Sequence, residues 1–189
     1  MHCTRTMLPA TLVALLGTPM IEAQTVPAKP PGSVRFATFN ASLNREKAGT
    51  LARDLANGEN LQARNVAEII QRVRPDVLLI NEFDYHPNAH ELFQKNYLSV
   101  AQNGTEPIVY AARYTAEGNT GVASGLDLDN DGQIVKEPGA RGYGNDAFGF
   151  GQFPGQFGMV VYSMFPIDRA ASGNSKRSCG KTCLGHFCR

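Results

Sequence analysis

Residues 60–80, NLQARNVAEIIQRVRPDVLLI, constrain this chain more than any other stretch. Val66, Ile69, Ile70 and Val73 recur at i, i+3, i+4 and i+7, the apolar stripe of an amphipathic helix. Asn60 suits the N-cap, and Pro75 halts the helix one residue after Arg74. Residues 77–80 then form a short continuous aliphatic run, which predicts a strand covered on both faces. Upstream, VRFATFN at 34–40 alternates apolar and polar residues as a first strand would. Strand, helix, strand is the order of an α/β layered domain. Further on, HELFQKNYL predicts a short helix, and PIVYAARY and GMVVYSMFPI predict strands. Between the last two, residues 115–155 are a long loop full of Gly, Asn and Asp, of the kind that is either functional or disordered.

With 189 residues, 42% hydrophobic and 19% charged, the chain fits one folded domain. A net charge of +1 gives no sign of a broad basic surface for nucleic acid, although a local phosphate site remains compatible with it. Residues 1–23 have an early Arg5, a short apolar stretch and a small residue at Ala23, which predicts a signal peptide and a secreted or periplasmic protein. That stretch is too short to span a bilayer. A Pro-rich spacer follows at 24–33. Cys3 lies in the signal, and Cys179, Cys183 and Cys188 lie in the last stretch, where they and His186 offer a loose Cys₃His zinc set.

The aliphatic run ends in Asn81, Glu82, Phe83 and Asp84. A carboxylate half-withdrawn from water at the end of a strand is costly without a partner. Either a cation sits there or the strand ends in solvent. One alternative is that Asn40 ends its strand in a turn and Glu82 meets an arginine such as Arg35. His86 and His90 read as surface histidines. In DLDNDGQI, Asp127, Asp129 and Asp131 with Gly132 match the front of an EF-hand-type loop, but position twelve is Pro138. The residues leave two readings open: a partial Ca²⁺ loop stiffening the insertion, or a solvated acidic turn.

VRFATFN, the helix running into VRPDVLLINEFD, and FGQFPGQFGMVVYSMFPID together resemble the N-terminal half of the endonuclease/exonuclease/phosphatase superfamily, in particular its exported bacterial branch. The resemblance implies an α/β fold, here an incomplete four-layer α/β sandwich, over residues 34–170. It implies that Glu82 binds Mg²⁺ or Mn²⁺ and that Asn40 helps hold the phosphate or the metal. Asp84, read from the residues alone, is either a second acceptor that orients a ligand or a solvated loop carboxylate. The substrate would be a phosphate ester, nucleic acid among the candidates, and no protein partner is indicated. Such metals favour hard oxygen ligands and one or two carboxylates. Family members draw a histidine, an Asp-x-Asn pair and a Ser-Asp-His element from a second half that has no counterpart here. Residues 171–189 change abruptly in composition, and a one-base shift of codons from Ser172 onward can restore apolar and aromatic residues. The tail is therefore expected to be out of frame, and the truncated chain to show little or no activity. Alternatives are a non-catalytic calcium-stabilised binding module and a short zinc protein built on the tail cysteines.

Overall fold

The structure, a computed structural model, describes residues 26–171. The signal peptide, the tail cysteines with the zinc set, and all but one residue of the expected out-of-frame tail lie outside the described residues.

Four strands form one mixed sheet: β1 (Phe36–Leu43), β2 (Val77–Phe83), β3 (Ala112–Thr115) and β4 (Met159–Ser163), in spatial order β1-β2-β4-β3. β1 and β2 are parallel and joined through a helix, and β4 runs antiparallel to both of its neighbours, β2 and β3. The connecting helix, α2 (Leu61–Val73), begins where the sequence predicts, with the Asn60 side chain accepting from the backbone N–H of Ala63 at 3.0 Å. It ends at Arg74, in the left-handed conformation immediately before Pro75. Its buried stripe is shifted from the expected one: Ala63, Val66, Ala67, Ile70 and Gln71 face inward, whereas Ile69 is exposed. A further short helix, α1 (Thr50–Asp54), lies between β1 and α2 and buries Leu51 and Ala52. The expected HELFQKNYL helix forms as α3 (Ala89–Phe93) and continues as one π-helical turn, Gln94–Leu98. The buried Gln71 amide donates to the carbonyls of Leu98 and Val100 at 3.0 and 2.8 Å, which satisfies chain left unpaired where that turn ends.

All helices lie on one face of the sheet. There Leu43, Leu78, Ile80, Phe83, Val160 and Tyr162 pack against Val66, Ile70, Phe93 and Tyr97. Phe93 contacts Phe83 edge-on and stacks on Tyr97, with centroids 5.9 and 5.7 Å apart. The three buried tyrosine hydroxyls of this core each donate to a backbone carbonyl: Tyr97 to Asp54, Tyr110 to Pro75 and Tyr162 to His90. The other face of the sheet is open. Phe36 is 73% and Met159 56% exposed, and Val77, Leu79, Tyr114 and Val161 beside them are half-buried. The expectation that residues 77–80 are covered on both faces is thus corrected: Leu78 and Ile80 are buried, Val77 and Leu79 are not. The described residues make two layers. Residues 26–33, the expected spacer, lie against the sheet, with Lys29 paired to Asp76 at 2.7 Å and Pro27 accepting from Arg35.

The long loop between β3 and β4 has no regular element but is ordered around its own buried residues, Tyr143, Ala147 and Phe153. Tyr143 donates to the Gly121 carbonyl at 2.6 Å. Gly121 adopts φ +68°, and a Cβ there would sit 1.8 Å from the Phe153 carbonyl oxygen, so the two backbone segments can meet only at glycine. Among the described residues no helix is long and apolar enough to cross a membrane.

Candidate functional site at the ends of the first two strands

Asn40 pairs with Asn81 and Leu43 with Phe83, so two residues of β1, Ala41 and Ser42, stand opposite the single residue Glu82 of β2. This bulge puts Ser42 at φ +49° and Glu82 at φ +55°. A left-handed backbone is uncommon for a side chain as large as glutamate, and such strain gathers where a structure re-aims a functional side chain. The bulge draws four polar residues together. Asn40 Oδ1 accepts from the backbone N–H of Ser42 at 3.1 Å, and Ser42 Oγ lies 3.5 Å from Asn40 Oδ1 and 3.4 Å from Glu82 Oε2. Asn44 Nδ2 donates to Glu82 Oε2 at 3.2 Å. Both hydrogen bonds to Glu82 fall on Oε2, and no basic side chain among the described residues forms an ion pair with it. Arg35, the alternative partner, sits at the far end of β1, where it donates to the carbonyls of Val73 and Pro27.

Sequence reasoning named Asn40 and Glu82 but missed Ser42 and Asn44. Their signal is present in the stretch NASLN, whose polar residues alternate past the expected strand end. The set offers hard oxygens and one carboxylate, with Asn40 and Ser42 exposed and Glu82 half-buried, a donor chemistry that fits Mg²⁺ or Mn²⁺.

Asp84 is not the solvated carboxylate of the second alternative. It is 2% exposed, and its two oxygens accept from the backbone N–H groups of Arg45 at 2.7 Å and Phe157 at 3.0 Å. Its own N–H donates to the Leu43 carbonyl at 3.1 Å. One carboxylate thereby ties together the end of β1, the end of β2 and the approach to β4. Gln156 reinforces the knot by donating to the Arg45 carbonyl at 2.6 Å. Burial pushes the Asp84 carboxyl up from 3.8 to about 6, against the pull of the Phe157 and Arg45 hydrogen bonds and of the Arg45 charge. Asp84 therefore sets the backbone from which Glu82 projects.

In the acidic loop the structure regroups the expected residues. Ligand oxygens of Asp127, Asp129 and Asp146 lie within 4.8 Å of one another, and Asp131 is not among them. Asp131 instead accepts from the backbone N–H of Gln133 at 2.8 Å. Asp146, distant in sequence and buried, accepts from the N–H groups of Val135 and Leu128, which hold its carboxyl below the usual range. Asp127 accepts from the N–H groups of Asp131 and Gly132, and Asp129 from Asn145. Of the two histidines read as surface residues, His86 accepts at Nδ1 from the N–H of Asn88 at 3.2 Å. His90 is largely covered, its Nδ1 has no partner, and burial lowers its pKa.

A model of the Endonuclease/Exonuclease/phosphatase family matches residues 37–188, well over half of the chain and including both strand ends that form this site. No curated protein and no solved structure shows a significant match to the chain.

Proposed function

Because the chain belongs to the Endonuclease/Exonuclease/phosphatase family, whose chemistry is hydrolysis of phosphate esters, we propose that the strand-end bulge is a divalent-metal and phosphate site, with Glu82 as the carboxylate ligand and Asn40 positioning a phosphate or metal oxygen. The observation that carries this reading is a strained glutamate, with no ion pair among the described residues, held among Asn40, Ser42 and Asn44 at the ends of two parallel strands. Mg²⁺ or Mn²⁺ bound there supplies charge neutralisation at phosphorus and lowers the pKa of a coordinated water. Ser42 and Asn44 hold Glu82 in place, and Asn40 fixes the orientation of the ester.

Among the described residues no histidine or aspartate hydrogen-bonds to this set in the role of a base for water. We therefore assign the 189-residue chain low turnover on its own. The open sheet face is the surface on which a second sheet would complete a four-layer sandwich. Export to a secreted or periplasmic location, and an altered reading frame from residue 171, belong to the same proposal.

The test is hydrolysis of bis(p-nitrophenyl) phosphate with magnesium. The low rate of the wild type falls about tenfold or more with EDTA and with Glu82→Gln, as expected for loss of a metal ligand. A rate indifferent to both would sink the assignment.

One observation favours a second, structural role for calcium. Three like charges within 4.8 Å repel unless a cation or proton intervenes. Calorimetric titration with calcium reads this: Asp129→Ala abolishes the heat and Asp131→Ala does not, whereas the absence of heat in the wild type returns the loop to an acidic turn.

A further inference from the structure

At the end of the sheet away from Glu82, basic residues gather where three strands meet. Arg35 immediately precedes β1, Asp76 immediately precedes β2 and Met164 immediately follows β4. Backbone bonds close this end: the Asp76 N–H donates to the Arg35 carbonyl and the Met164 N–H to the Asp76 carbonyl, both at 2.8 Å. The end of α2 adds Arg72 and Arg74, and the segment before β1 adds Lys29. Together they line a cavity of about 490 Å³, within the usual size of a ligand cleft. At the rise of a strand, Asp76 and Glu82 are about 20 Å apart along β2, so this cavity is distinct from the strand-end bulge.

Its charges do not cancel. Four cations line it, against the single carboxylate of Asp76. That carboxylate is engaged: it accepts from the Arg35 N–H at 2.7 Å and, through both oxygens, from Lys29 Nζ at 2.7 and 2.8 Å. The Arg35 N–H foremost, and then Lys29, hold its carboxyl below the usual range, so it remains an anion and neutralises Lys29. Arg72 pairs with Glu68 at 2.7 Å. Arg35 and Arg74 form no ion pair among the described residues. Arg35 donates to the carbonyls of Val73 and Pro27, and Arg74 to those of Glu106 and Pro107 at 3.2 and 3.4 Å. Carbonyls orient a guanidinium without neutralising it, and each guanidinium has more N–H donors than these bonds use. The carbonyl end of α2 accounts for Arg35, which caps Val73. It does not account for Arg74, whose side chain reaches a different segment.

Two oriented guanidiniums without a carboxylate suit an anion that can meet both, and their forks match carboxylate and phosphate oxygens. The cations line a concavity rather than a stripe, which favours a small anion over a polyanionic strand. We propose that this cavity binds a small anion with at least two negative charges, carried on carboxylate or phosphate groups and held by Arg35 and Arg74. Because Pro27 and Lys29 are already tied to Arg35 and Asp76, the ligand fastens the segment before β1 to the end of α2. The proposal is independent of the reading of Glu82.

Calorimetric titration of the full chain with citrate and, separately, with inorganic phosphate tests it, at constant ionic strength and in EDTA to keep metal from Glu82. The wild type gives saturable heat with at least one of the two, and which one tells a carboxylate from a phosphate ligand. Arg74→Gln weakens binding about tenfold, as loss of a charge-assisted contact requires, and Arg74→Lys, which keeps the charge without the fork, about threefold. Lys136→Gln, which removes an exposed charge from the long loop, leaves the affinity unchanged. Thermal unfolding shows that each variant is folded, and the bound anion raises the midpoint of wild type more than that of Arg74→Gln. No saturable heat with either anion, undiminished affinity in Arg74→Gln, or an equal loss in Lys136→Gln overturns the site.

Discussion

Two carboxylates separated by one residue have opposite fates, and the difference lies in what their oxygens meet. Glu82 keeps one oxygen without a side-chain donor among the described residues, whereas both oxygens of Asp84 accept from backbone N–H groups. The sequence shows only N-E-F-D and cannot distinguish a ligand from a knot, because the distinction depends on Arg45 and Phe157, one of them 73 residues away. Asp84 carries a testable pH dependence. Its folded pKa of about 6 exceeds the unfolded 3.8, so the folded state binds the proton more tightly. The carboxylate is a constant cost above pH 6, and its contribution improves as pH falls from 6 towards 3.8. Urea unfolding of wild type and Asp84→Asn across pH 7 to 4 reads this directly: wild type gains stability relative to the variant as pH falls, and a relative loss would contradict the burial argument.

At the scale of elements, the legible part of the fold was the part written locally. The Asn60 cap, the Pro75 stop and the apolar period of α2 are all short-range signals, and α2 occupies the expected residues. Replacing Asn60 by Ala should cost about 1 kcal/mol in thermal or urea unfolding, through loss of the bond to Ala63. The strands extended beyond or fell short of their expected bounds because pairing, rather than propensity, decides where a strand ends. β1 runs on through Leu43 because β2 continues beside it. The alternation of polar residues in NASLN is visible locally, but the bulge that groups them with Glu82 arises only from that pairing. Ser42 and Asn44 were missed for this reason. The acidic loop shows the same limit: Asp127 and Asp129 were visible as spacing, whereas Asp146 joins them only through the fold of the intervening chain.

Among the described residues, one sheet face is packed by helices and the other presents Phe36, Met159 and their half-buried neighbours to solvent, with β1 and β3 as the outermost strands. Such a face favours association. Sedimentation velocity at increasing concentration should show the wild type self-associating. The double variant Phe36→Ser, Met159→Ser should reduce this while changing unfolding stability by no more than about 0.5 kcal/mol, as is usual for exposed positions. A monomeric wild type at all concentrations would mean that this face is protected.

The central claim is that Glu82 holds a divalent ion, and it is tested most directly by manganese titration followed by electron paramagnetic resonance, comparing wild type, Glu82→Gln and Asp129→Ala. The account predicts a bound manganese signal in wild type that survives Asp129→Ala and is lost in Glu82→Gln. A signal retained in full by Glu82→Gln, or abolished by Asp129→Ala alone, would place the metal elsewhere and contradict it.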